Sequence, residues 1–377
     1  MKKFTIRRAE DGRLKAAQIV GNTRIGGVVS CVLNYYKFMD CSRWRFDFFA
    51  YEHCGFDDAL RAIDPAARVL TIPRLDRDPL GAVSALRRRL REGGYAVAHS
   101  HMTTLSAFAL RAAKGAGVPV RVCHAHSTFD RHSDHYLIKA ALRPFAAADA
   151  TVRMACGELA AQNLFGRRAK EAVILPNAID LERFAPDPQA KARLGLEGRC
   201  LLFVGRFAPQ KNLPFLLDAF ALARRRRPMT LLLLGAGDEE KALRARAAQP
   251  DLAGHVRFLP QGDPAPWYAA ADAFVLPSLY EGFPVVGLEA QAAGLPCLFS
   301  DKITRAADVC GSAAFLPLGR EIWAEAMAKD MPRLTDGAAR LRRAGYDIRQ
   351  EAGRLCEVYE RAVLPFLTDT FLGEEKR

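Results

Sequence analysis

Short apolar runs recur along this chain, and most are followed by a stretch whose apolar residues fall three or four apart. Residues 15–20 form the first run. Gly21, Gly26 and Gly27 follow, and then Val28, Cys31, Val32, Tyr35 and Tyr36 at helical spacing, so the segment predicts strand, glycine loop and helix. Further strands are predicted at 46–51, 69–72, 96–99 and 118–123, with helical stretches at 79–92 and 104–115 between them. Strands that alternate with helices predict a parallel, doubly wound α/β sheet.

The pattern restarts at 201–205 and continues through 231–235, 256–259 and 273–276, again with helical stretches between. This predicts a second sheet of the same kind. Pro176, Pro186 and Pro188 give the junction at 177–188 the character of a linker, so the boundary is placed near residue 180. A length of 377 residues, half of them apolar, is enough for two cores.

Charge changes the picture in the first half only. Of the net +13, residues 1–180 carry +11 and residues 181–377 carry +2, which points to an anionic partner for the first half or to a basic solvated surface. The Arg224–Arg227 run falls at a predicted helix end, where cations suit the dipole. The nine cysteines are scattered without a CxxC pair, as expected of free thiols in a reducing compartment. The opening Met1-Lys2-Lys3-Phe4-Thr5-Ile6-Arg7-Arg8 lacks an apolar core, and no run approaches membrane-spanning length, so a cytoplasmic address is expected.

Doubly wound sheets bind ligands at the carboxyl ends of their strands, where several suggestive groups fall. Gly205-Arg206 follows strand 201–204, and Lys211-Asn212 precedes a helical stretch, so a guanidinium, an ammonium and a helix N-terminus would meet a diphosphate without needing a divalent ion. Glu281 and Glu289 stand eight apart across a loop-to-helix transition after strand 273–276. The amides of Gly282 to Val285 lie between them, and such groups suit an anion or sugar hydroxyls.

His99-Ser100-His101 and His124-Ala125-His126 each close a predicted strand. They could approach a ligand or, as paired HxH, bind zinc, although no carboxylate or cysteine stands at a recognised ligand spacing. GxGxxG is absent, which argues against a dinucleotide, and Gly235-Ala236-Gly237-Asp238 reads as a strand-closing turn.

Taken together, Gly26-Gly27, Pro176-Asn177-Ala178-Ile179-Asp180 with Phe184, Val204-Gly205-Arg206 with Lys211-Asn212, Leu234-Gly235-Ala236-Gly237 and Glu281-x7-Glu289 resemble family 4 glycosyltransferases over residues 15–345. The strings at 99–101, 121–127 and 295–304 resemble the capsule and exopolysaccharide branch typified by CapH-like and EpsF-like enzymes.

The resemblance implies a GT-B fold: two Rossmann-like doubly wound domains facing across a cleft. Residues 1–180 would bind the acceptor, 181–345 the nucleotide-sugar, and helices in 346–377 would return to the first domain. It implies a retaining hexosyltransferase that needs no metal or other cofactor. Arg206 and Lys211 would stabilise the departing diphosphate, and Glu281 with the Gly282 and Phe283 amides would hold the donor sugar. Glu289 would hold the ribose, His126 more than His124 would approach the sugar, and Gly26-Gly27 would lie against the phosphates.

Two departures stand out. The usual Asn-Gly-Ile-Asp linker carries Ala178, where a positive φ would strain an alanine. The loop at 260–267, Pro260-Gln261-Gly262-Asp263-Pro264-Ala265-Pro266-Trp267, departs near the nucleotide base, so UDP is an expectation only.

Partners are expected to be a nucleotide-sugar donor, a saccharide or lipid-linked acceptor and an anionic membrane surface. No nucleic acid is expected, because the basic half has no recognition motif. The segment 135–145 reads either as a helix packed on its domain, with Lys139 and Arg143 outward, or as an interfacial helix. Rival readings are a nucleotide-sugar epimerase of the same fold and a non-enzymatic sugar- or nucleic-acid-binding protein.

Overall fold

The computed structural model describes residues 6–21, 27–51, 56–75, 77–127, 135–260 and 262–371, with side chains as far as 367. The chain divides into two compact units. One holds residues 1–178 and 348–377, the other residues 179–347.

The first unit is built on seven parallel strands: β1 (Leu14–Gly21), β2 (Trp44–Ala50), β3 (Arg68–Thr71), β4 (Val97–Ser100), β5 (Val120–Ala125), β6 (Val152–Ala155) and β7 (Val173–Ile174). Their order is β3-β2-β1-β4-β5-β6-β7. The sequence winds outward from β1 to β3 and then returns to β4 on the other side, which puts the topological switch between β1 and β4.

Strand alternation separates the two faces of this sheet. Ala16, Val20, Val97 and Val122 join one core with residues of the helices Gly27–Phe38 and Ile348–Phe371. Ala17, Ile19 and Ala98 pack on the opposite face against Leu86 and Leu90 of helix Pro79–Gly93 and Ala109, Ala112 and Ala113 of helix Ser106–Ala116. The long C-terminal helix is therefore part of the first unit's core, through Ile348, Ala352, Leu355, Tyr359 and Val363.

The second unit has β8 (Arg199–Val204), β9 (Met229–Leu234), β10 (Val256–Leu259), β11 (Ala273–Leu276), β12 (Cys297–Ser300) and β13 (Ala313–Leu316), all parallel, in the order β10-β9-β8-β11-β12-β13. Leu201, Leu202, Phe203, Leu231, Leu232 and Leu233 are wholly buried, as befits central parallel strands covered on both faces. Its switch falls between β8 and β11.

Ala178 does not adopt the strained backbone that the linker comparison suggested. Among the described residues, positive φ outside glycine occurs at Thr103, His135 and Asn212. The Ala178 amide bonds to Pro176 O and its methyl is buried, so the alanine is accommodated in the core.

Helix Tyr136–Ala146 packs on the helices Ser106–Ala116 and Glu158–Phe165 of its own unit, yet leaves apolar side chains open. Only Ala146 is buried, while Leu137, Ile138 and Phe145 remain 80%, 58% and 63% exposed. Leu137, Ala141 and Phe145, four apart, form an apolar stripe that no described residue covers. No helix among the described residues is long and apolar enough to cross a membrane.

Candidate functional site

In the second unit the groups singled out from sequence gather at the switch between β8 and β11. Gly205 leaves β8, Arg206 follows it, and Pro209–Lys211 forms one short helical turn before Asn212. Asn212 adopts the left-handed conformation, φ 56°, to start the helix Leu213–Arg226, an αL position that asparagine tolerates better than most residues. Gln210 fastens this turn to the loop after β11: its carbonyl accepts from the Leu279 amide at 2.9 Å, and its side chain donates to Tyr280 O at 2.9 Å.

That fastening brings Lys211 Nζ to 2.5 Å from Glu281 Oε1. Ser278, wholly buried at the end of β11, donates its hydroxyl to the same carboxylate oxygen at 2.8 Å. Both members of the ion pair are largely buried, so removing one leaves an uncompensated charge. Arg206 is different: its guanidinium is exposed and meets no partner among the described residues. The amides of Gly282 and Phe283 likewise donate to no described residue.

Gly235 and Gly237 do more than close β9. A Cβ at Gly235 would stand 1.9 Å from Gly205 O, and one at Gly237 would stand 2.2 Å from Phe207 O. The loop after β9 thus lies directly on the Gly205–Phe207 backbone, secured by Gly205 N to Leu234 O at 3.0 Å and Phe207 N to Ala236 O at 2.8 Å. Only glycine permits that approach.

Glu289 lies a turn inside the helix Val285–Ala292 and points at Tyr268, whose hydroxyl donates to Oε2 at 2.9 Å. Part of Glu289 keeps contact with solvent, yet protein atoms enclose it closely. Burial pushes its carboxyl up to about 7, against the opposing effects of the Tyr268 hydroxyl and the Arg183 charge.

In the first unit, Gln18 on β1, His99 on β4, His101 just beyond it, His124 on β5 and His126 just beyond it share the sheet face turned to helix Ile348–Phe371. The four imidazoles stack: ring centroids are 4.1 Å apart for His99 and His101 and 4.0 Å for His124 and His126. Burial, and for His99, His101 and His124 the neighbouring rings, hold these three well below the ordinary imidazole range. Burial brings His126 to about 4, with the Asn177 amide working the other way. All four are neutral at physiological pH.

His99, His101 and His124 each offer a ring nitrogen within 4.8 Å of the others, so these three could hold a metal ion. Five of their six ring nitrogens already meet hydrogen-bond partners, His124 Nε2 being the exception among the described residues. An ion there would have to replace one hydrogen bond of His99 and one of His101, whose ring nitrogens are all engaged.

Gly27 opens the helix Gly27–Phe38, where a Cβ would meet nothing within 4 Å, and Gly26 lies outside the described residues. Sequence reasoning gave no role to Gln18, Tyr268, Ser278 or Tyr359. Ser278 stands two residues past the end of β11, so its position after a strand was a usable signal. Tyr268 and Tyr359 carry no local signal, because each meets its partner across a long separation.

Residues 25–183 match the model described as Glycosyltransferase Family 4, and residues 198–336 match the one described as Glycosyl transferases group 1. EpsF of Bacillus subtilis (strain 168), named as a candidate glycosyltransferase, is 36% identical over 370 residues, covering 92% of this chain and 96% of that protein. The chain belongs to the family 4 glycosyltransferases.

Another relative of this family 4 enzyme is the UDP-Gal:alpha-D-GlcNAc-diphosphoundecaprenol alpha-1,3-galactosyltransferase of Escherichia coli. It is 28% identical, with 77% of this chain and 80% of that protein covered. Among solved structures, HepE of Anabaena in complex with UDP and glucose superposes with a TM-score of 0.76 at 19% identity, over 93% of this chain and 100% of that one. Sucrose-phosphate synthase of Thermosynechococcus elongatus does so with a TM-score of 0.70 at 21% identity, over 93% and 99%. These likenesses give the glycosyltransferase its GT-B fold.

Proposed function

We infer that this glycosyltransferase moves a sugar from a nucleotide diphosphate, UDP in the first instance, to a saccharide or lipid-linked saccharide of a surface polysaccharide, with retention at the anomeric carbon. The observation that carries this reading is the junction at the second unit's switch point. An exposed Arg206 and the Gly282 and Phe283 amides, all without a partner among the described residues, and the Lys211–Glu281 pair belong to loops at the carboxyl ends of β8 and β11.

As the bond from the sugar to the diphosphate breaks, negative charge grows on the departing oxygen. Arg206 and Lys211 supply fixed positive charge to receive it, the electrostatic contribution that weighs most in such transfers, and no metal is required for the task. The acceptor oxygen bonds to the anomeric carbon on the face the diphosphate leaves, and the acceptor's proton departs with the phosphate. Glu281, oriented by Ser278 and Lys211, accepts from sugar hydroxyls while the two amides donate to them. Glu289 accepts from the ribose diol, and His126 serves the donor sugar.

The relatives' names support the choice of donor and acceptor, since one is a UDP-galactose enzyme acting on a lipid diphosphate and HepE is seen with UDP and glucose. A lipid-linked acceptor would bring the enzyme to the inner face of the cell membrane. The exposed stripe of helix Tyr136–Ala146, set in the half of the chain that carries +11, suits an anionic lipid surface.

Thermal shift against UDP-, GDP- and ADP-sugars with EDTA present tests the donor reading. One nucleotide class should stabilise the protein, by RT ln(1 + [L]/Kd). No shift with any of them, together with no sugar transfer, would end it.

A further inference from the structure

Two short helices of the second unit end on the same guanidinium. Arg333 lies in the irregular stretch after helix Arg320–Ala328. Its Nη2 donates to the carbonyls of Tyr268, Ala269 and Ala271 at 2.9, 2.8 and 2.7 Å, and its Nη1 to that of Ala293 at 3.3 Å. The first three close helix Ala265–Ala270, and the fourth closes helix Val285–Ala292. Carbonyls in a helix's last turn have no partner inside the helix and carry the negative end of its dipole, so a forked cation suits both ends at once. The backbone beside Arg333 is held as well. Leu334 N donates to Gly294 O at 2.8 Å, and a Cβ at Gly294 would stand 2.2 Å from Leu334 O.

The helices so joined carry Tyr268 and Glu289. Tyr268 takes part at both ends: its carbonyl receives Arg333, and its hydroxyl reaches Glu289 Oε2 at 2.9 Å. The ring between them is wholly buried against Phe184 and Phe274. That hydroxyl has one proton and a second acceptor within reach, Val286 O at 3.1 Å. Which of the two receives the proton depends on how the helices lie against each other. While it goes to Oε2, Glu289 Oε1 meets no donor among the described residues and is left for a ligand.

We propose that Arg333 is a positioning residue for nucleoside recognition: it holds the two helix ends together, keeps the Tyr268 hydroxyl on one oxygen of Glu289, and so presents the other to the ribose diol. This rests on the assignment of Glu289 to the ribose. The four bonds of Arg333 all go to backbone carbonyls, so it acts through Tyr268 and Glu289.

Calorimetric titration of the whole protein with UDP, 2′-deoxy-UDP and UMP separates this role from a merely structural one. The wild type should prefer UDP to 2′-deoxy-UDP by at least about tenfold, as for one hydrogen bond to a charged acceptor. Glu289→Ala should erase that preference. Arg333→Met should reduce it to about threefold or less, while the preference for UDP over UMP, set at the diphosphate, stays as in the wild type. Arg333→Lys, which keeps the charge but not the fork, should fall between the two and serves if the methionine variant does not fold.

An undiminished ribose preference in the Arg333 variants, even with all three nucleotides equally weakened, would overturn the positioning role. An undiminished preference in Glu289→Ala would instead refute the ribose assignment and the proposal with it. Failure of the wild type to bind UDP would refute the donor reading from which both descend.

Discussion

Lys211 Nζ lies 2.5 Å from Glu281 Oε1 although 70 residues separate them in sequence, and the buried Ser278 hydroxyl holds the same oxygen. Arg206, five residues before that lysine, has no such anchor. The two cations assigned to the diphosphate therefore differ in what else they do. Lys211→Ala should lower kcat/KM by roughly two orders of magnitude and also destabilise the fold, because Glu281 is left buried without its counter-charge. Arg206→Ala should cost as much activity, about 3 kcal/mol of transition-state stabilisation, with unfolding by urea unchanged. Equal stability losses in both variants would count against this division.

Glu289 should tie donor binding to pH. Its carboxyl is raised to about 7, so the stability it contributes is present below the unfolded value of 4.5 and is lost as pH rises to about 7. Glu289→Gln removes that loss and should stabilise the protein by roughly 1–2 kcal/mol at pH 8, after discount for its residual exposure, and little at pH 4.5. Donor KM should rise in the wild type as pH falls from 8 to 6 and the carboxylate acceptor is protonated, a dependence the variant should lack. Steady-state kinetics at three pH values would read both effects.

The histidine array predicts sensitivity to mild acid. Burial depresses these imidazoles below 6.5, so below that pH the unfolded chain takes up protons that the folded chain refuses. Stability should be full above about pH 7 and fall as pH drops towards 4, by about 1.4 kcal/mol per pH unit for each imidazole that is differentially protonated. For His126, brought to about 4, the whole interval amounts to about 3 kcal/mol. Urea midpoints at pH 7.5 and 5.5 that coincide would contradict the buried neutral array.

Gly235→Ala should damage the diphosphate loop from outside it. The new methyl would stand 1.9 Å from Gly205 O, so the backbone carrying Arg206 must move. Overpacking against backbone costs about 1–3 kcal/mol, and activity should fall with it. Gly27→Ala, where a Cβ meets nothing within 4 Å, is the contrasting substitution and should leave the thermal midpoint unchanged.

For the exposed stripe, flotation with vesicles containing anionic lipid should carry the wild type upward at low salt. Leu137→Glu with Phe145→Glu should abolish this without altering transfer to a water-soluble acceptor. Failure of the wild type to float would remove the membrane from the account.

Much of the architecture can be read from the chain, for a physical reason: Leu201–Phe203 and Leu231–Leu233 sit in central parallel strands buried on both faces, so they appear as unbroken apolar runs. One edge strand of each sheet does not announce itself, although the opposite edges, β3 and β10, do. β7 is two residues long, and Ala313–Leu316 at the other sheet's edge is only partly buried. The same contrast holds at the site. Arg206, Lys211, Glu281 and Glu289 fall beside strand ends or in a recognisable spacing. Tyr268 and Tyr359 act through contacts that only the folded chain creates, Tyr359 lying 260 residues from His99.

The central claim is that two side-chain cations receive a diphosphate. Calorimetric titration of UDP and UMP, with EDTA present, into the wild type, Arg206→Ala and Lys211→Ala measures it directly. The wild type should prefer UDP by about a hundredfold, and each variant should bind UDP little better than UMP. Variants that keep the wild-type preference for the second phosphate would contradict it.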